Sequence, residues 1–126
     1  MDLTNFDTRP ASEAGVDINL VIDGEVIYGD DKKPVTFKVR GPADRRVQAY
    51  LLKLHRKPAS SNPDDGAASD IAFAKVAVLG WSNNFEVGGE KLKYSEEAIG
   101  IIMENPVVRR AVISEVMKEA NFMPKR

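Results

Sequence analysis

The sequence predicts an α+β fold: an N-terminal three-stranded antiparallel β-meander packed on helices, then C-terminal helices with a small β-hairpin. Three observations predict it. Apolar and polar residues alternate over 16–22 and again over 35–39, the period of half-buried strands. Apolar residues recur at helical spacing over 43–56 and again near the C-terminal end. Gly88-Gly89, between Phe85-Glu86-Val87 and Lys91-Leu92-Lys93-Tyr94, reads as the turn of a small hairpin. With 126 residues the chain has the size of one domain. The expected division is an extended arm over 1–14, meander plus helix over 15–57, a loop over 58–66, and a helical part with the hairpin over 67–126.

Residues 1–14 show no clean period and read as an arm anchored by Phe6. Val16, Ile18, Leu20 and Ile22 then share one face of a strand that ends at Asp23-Gly24, a hairpin turn signal. Val26-Ile27-Tyr28 reads as the return strand. After the turn from Gly29 to Pro34, Val35, Phe37 and Val39 form the third strand. Such a sheet needs a covering layer, and the helix carrying Ala43, Val47, Tyr50, Leu51 and Leu54 is its natural cover. Two prolines and paired aspartates make 58–66 a loop. A helix over 67–79, apolar on nearly every side, reads as central and buried. Trp81 is expected to be largely buried where that helix meets the hairpin. Ser95 caps a short helix that buries Ile99, Ile102 and Met103, and Asn105-Pro106 starts the last one. Its stripe is Val112, Ile113, Val116, Met117 and Ala120.

A hydrophobic content of 43% with 29% charged residues is ordinary for a folded chain and argues against wholesale disorder. The net charge of −1 argues against a general nucleic-acid binder. Without cysteine there is no disulfide, thiol nucleophile or zinc–thiolate site, which fits a reducing compartment. No signal peptide is visible, and the apolar run from Ile71 to Leu79 carries Lys75 and is too short to span a bilayer, so no membrane partner is expected.

Side-chain chemistry points away from an enzyme. The sole histidine, His55, ends a helix among Lys53, Arg56 and Lys57 with no nucleophile or carboxylate partner suggested locally. Asp30-Asp31 and Asp64-Asp65 lie in turns and lack the ligand spacing of a calcium loop. Gly88-Gly89 lacks the lysine and helix of a phosphate loop. No cofactor or metal is therefore expected. The stretch from Arg40 to Lys57 sets six basic residues against one acid, Asp44; a phosphate-binding face is conceivable, but a solvated or protein-facing helix is favoured, with Tyr50 on the apolar stripe.

In order along the chain come Phe6-Asp7-Thr8-Arg9, Ser12-Glu13-Ala14-Gly15, Lys33-Pro34-Val35, Trp81, Gly88-Gly89, Ser95-Glu96-Glu97-Ala98, Asn105-Pro106 and Asn121-Phe122. This succession resembles the tail assembly chaperones of long-tailed bacteriophages and prophages, over nearly the whole chain. Each motif is weak alone, and their order carries the resemblance. Gly41-Pro42-Ala43-Asp44 departs from the Ser-Asp-Ser-type cap that many members place before the basic helix. The resemblance implies a non-catalytic protein of the bacterial host cytoplasm. It would bind the helical tape-measure protein, keep it soluble while the tail tube assembles, and be absent from the finished virion. The tail tube protein is a second candidate partner. On that footing Phe122, beyond the last helical stripe, is the leading contact candidate, extended by Met117 and Ile113. Arg45, Arg46 and Lys53 on the basic helix come next. The alternatives are a structural tail or connector subunit and a small nucleic-acid-binding regulator.

Overall fold

The computed structural model describes residues 1–56 and 61–124. Among them the order is α1 (Arg9–Ala14), β1 (Val16–Asn19), β2 (Val21–Ile22), β3 (Glu25–Val26), β4 (Thr36–Val39), α2 (Arg45–His55), α3 (Pro63–Ala77), β5 (Val78–Trp81), α4 (Glu96–Met103) and α5 (Pro106–Val116). Short 3₁₀ turns at Leu3–Phe6 and Glu119–Phe122 flank this series. The fold is α+β with a three-stranded antiparallel sheet, as the sequence predicts, but the strands are not the expected three.

β1 pairs with β4 from Val16↔Val39 to Asn19↔Thr36, and the outer edge of β4 takes β5, giving the order β1-β4-β5. The segment 26–28 fails to become the middle strand because its hairpin is very tight. Asp23 and Gly24 both adopt positive φ (52° and 80°), so β2 and β3 face each other over only two residue pairs. The chain bends at Leu20, whose N–H donates to the Val35 carbonyl while its own carbonyl accepts from Ile27. Ile27 in turn accepts from Val35, so three segments meet at one junction, and beyond it Tyr28 makes a lone bridge to Pro34.

α2 starts where Asp44 accepts hydrogen bonds from the Arg46 and Val47 amides; aspartate thus caps the helix. It packs against α3, with Tyr50 against Phe73 at 6.0 Å between ring centroids, and covers that helix more than the sheet. α3 begins at Pro63, not at 67. Asn62 caps it, proline takes the first turn, and Asp64 and Asp65 lie there as favourable negative charge. The expected loop over 58–66 is therefore helical over 63–66, while Lys57, Pro58, Ala59 and Ser60 lie outside the described residues. The helix also ends earlier than expected, and Val78 enters β5 directly. Arg40 satisfies the unpaired carbonyls at the end of this helix: its amide donates to Ala77 and its guanidinium to Val76. Ser95 and Asn105 cap α4 and α5 as the sequence predicts.

One core runs through the molecule, from Ile18, Phe37, Val39 and Val78 in the sheet to Val47, Ile99, Met103, Val112 and Val116 on the helices. α3 is its hub, packed on α2, α4 and α5. The N-terminal arm is not extended. Residues 9–14 form α1, Ser12 is fully buried, and Phe6, the expected anchor, is 48% exposed. α1 lies beside the 3₁₀ turn Glu119–Phe122, and Phe122 is fully buried. Gly41 makes room for both: a Cβ there would sit 2.6 Å from the Phe122 ring and would strike the Ser12 hydroxyl.

Candidate partner-binding cleft

The segment after β5 is pinned by side-chain hydrogen bonds. Asn84 Nδ2 reaches the Asp31 carboxylate (3.1 Å) and the carbonyls of Lys33 (2.9 Å) and Pro34 (3.2 Å). Its Oδ1 accepts from Ser82 Oγ, which itself accepts from the Thr36 amide. Gly29 lies directly beneath, where a Cβ would come within 2.9 Å of the Asn84 side chain. Hydrogen bonds from the Lys33 amide and from Asn84 lower the Asp31 carboxyl pKa. The knot presses Phe85 against Phe37, at 5.7 Å between ring centroids, and against Trp81 at 6.3 Å. Trp81 is half-buried, less than the sequence predicts, and its indole N–H donates to the Leu92 carbonyl at 3.0 Å. The next stretch turns back at Gly88-Gly89, whose φ values of 60° and 82° fit a tight turn closed by one Val87–Glu90 bridge.

This arrangement leaves an open cleft of about 320 Å³. One wall is Leu20, Ile27, Val35, Phe37, Phe85 and Val87; the other is Ile101 and Ile102 from α4 and Val108 from α5. Ile101 is 43% exposed at the rim. A second cleft of about 390 Å³ adjoins it, with Ile27, Val35, Phe85 and Glu86 lining both. Its remaining lining is polar, including Asp30, Asp31, Asn83, Asn84 and Lys91. An apolar trough of this kind suits side chains of a partner helix or strand. His55 lies outside its lining, exposed at the end of α2. Among the described residues no group of three or more His, Cys, Asp or Glu is placed to hold a metal ion.

The candidates named from sequence are not brought together. Phe122 is inside the core, not on the surface, because Gly41 and Ser12 form a socket for its ring. Ile113 is half-buried against the core. α5 stops at Val116, so Met117 falls at its C-cap and is 47% exposed. Glu115 holds this end together. Its carboxylate accepts from Lys118 Nζ (2.7 Å) and Asn121 Nδ2 (3.0 Å), bonds that outweigh the effect of burial and lower its pKa. Arg45, Arg46 and Lys53 are exposed on α2, but Arg46 is tied to the buried Asp44 carboxylate at 2.8 Å. Burial alone would raise the Asp44 pKa; bonds from Arg46 and from the amides of Val47 and Arg46 outweigh it and lower the pKa. Tyr50 is unavailable for base stacking, since its hydroxyl donates to the Ser69 carbonyl and its ring faces Phe73.

Sequence patterning does not single out the cleft residues Val87, Ile101 and Val108. One signal existed: Ile101 is an apolar residue off the buried edge formed by Ile99, Ile102 and Met103. Among the described residues no helix is long and apolar enough to cross a membrane. No protein-family model matches the chain, and no curated protein or solved structure matches it either.

Proposed function

We propose that this chain is a tail assembly chaperone of a long-tailed phage or prophage, and that the apolar cleft holds a helical segment of the tape-measure protein. The observation that carries the reading is the cleft itself, with Ile101 left half in water at its rim. The succession of motifs from Phe6-Asp7 to Asn121-Phe122 supports it. A chaperone of this class needs no reacting group, only an apolar surface that a client covers and later vacates. It acts in the host cytoplasm while the tail tube polymerises around the client, and does not remain in the virion. The tail tube protein is the second partner.

Co-expression with the tape-measure protein of the same gene neighbourhood tests this. The wild-type chain is expected to co-purify with the client, and Ile101→Glu is expected to lose it while melting as before, since the side chain is already half in water. Failure of the wild-type chain to retain the client refutes the proposal. Finding the chain in purified particles by mass spectrometry makes it a structural tail or connector subunit instead. The exposed Arg45, Lys53 and Arg56, which form no ion pair among the described residues, favour one further reading, a nucleic-acid-binding regulator. Absence of DNA or RNA binding at low salt disposes of it, because phosphate contacts are strongest there.

A further inference from the structure

The two adjoining clefts differ in character, and the difference specifies what can lie across them. One is apolar, walled by side chains such as Val87, Ile101 and Val108. The other carries three carboxylates, Asp30, Asp31 and Glu86, against one cation, Lys91. Asp31 is already engaged by the Lys33 amide and by Asn84. Asp30 and Glu86 are both exposed and, among the described residues, form no ion pair. Glu86 lines both clefts, so an acidic group stands at the border of the apolar trough.

We propose that the bound segment is an amphipathic helix whose apolar stripe is flanked on one edge by lysine or arginine. This rests on the reading of the apolar cleft as a partner site and deepens it. The apolar side chains enter between Phe85, Val87, Ile101 and Val108; the cations on the neighbouring edge, three or four residues away, meet Asp30 and Glu86. The two halves contribute differently. Burying apolar surface provides most of the affinity. Exposed ion pairs add only about two- to five-fold each in affinity, but they choose among clients and set the direction in which the helix lies. An acidic helix of the same apolar content meets like charge along that edge and is rejected.

The test uses two fluorescein-labelled helical peptides of about five turns, one of leucine and lysine, the other of leucine and glutamate in the same pattern. Anisotropy titrations on the whole protein should show the leucine–lysine peptide binding roughly ten-fold tighter or better than its acidic counterpart. The double variant Asp30→Asn/Glu86→Gln should reduce that binding by about five- to ten-fold, and Ile101→Glu should abolish it, each with an unchanged melting curve. Equal binding of the two peptides overturns the proposal, as does full binding by the double variant. Amide shifts on peptide addition should fall in 27–31, 83–91 and 101–108; shifts confined to α2 overturn it. Self-association that Ile101→Glu abolishes puts a second copy in the cleft and overturns it too. Client retention separates this inference from the function above. A double variant that keeps the tape-measure protein while Ile101→Glu loses it upholds the cleft and removes the basic edge. Peptide binding as expected, without retention of the tape-measure protein by the wild-type chain, upholds the inference and removes the assigned client.

Discussion

Phe122 shows how a residue beyond the last helical stripe can still belong to the core. Its ring occupies a socket whose floor, Gly41 and Ser12, lies some eighty residues or more upstream, so no local period in the sequence announces its burial. Phe122→Ala is expected to cost about 3–5 kcal/mol, and Gly41→Ala, which forces a methyl into the ring, about 1–3 kcal/mol, both read from urea unfolding. An exposed contact residue at 122 would leave both curves where they are. Two buried carboxylates lead to a pH prediction. Asp44 and Glu115 are held below the ordinary 3.8 and 4.5 by their hydrogen-bond donors. Their stabilisation is complete above those unfolded-state values and drains away as pH falls through the lower folded-state ones. Thermal melts should therefore be flat from neutral pH to about pH 5 and then decline, and Asp44→Asn should soften the decline. The Ser12 hydroxyl, buried in the same socket, meets no hydrogen-bond partner among the described residues.

Secondary-structure elements with local signals were legible, and those defined by distant pairing were not. Ser95 and Asn105 announce α4 and α5 through caps that act within three residues. Ser95→Ala should cost about 1 kcal/mol in the same unfolding measurement, because it strips the Ala98 amide of its acceptor. β5 is the contrary case. Val78 and Leu79 continue an apolar run that reads as helix, and periodicity cannot distinguish a buried strand from a buried helix over so few residues. What makes 78–81 a strand is the open edge of β4, whose residues 37–39 pair with it from far upstream. The same limit explains why 26–28 was expected in the sheet. Its residues suit a strand, but β4 takes the place beside β1, and the tight turn at Asp23-Gly24 folds β3 onto β2 instead.

For the molecule as a whole, α+β character follows from patterning, and the cleft does not, because its walls are drawn from 20–37 and from 85–108. The sheet is also assembled out of chain order, with β4 in the centre, β1 before it and β5 much later. On the ribosome this becomes a timetable. A nascent chain can zip β1 to β4 early, yet β4 keeps a bare edge until β5 has left the exit tunnel, a period in which it could adopt a neighbouring strand from another chain. The socket at Gly41 waits longer still, for Phe122 itself. Completion of the fold is thus coupled to translation through residue 122: a product stalled earlier leaves the socket at Gly41 and Ser12 unfilled.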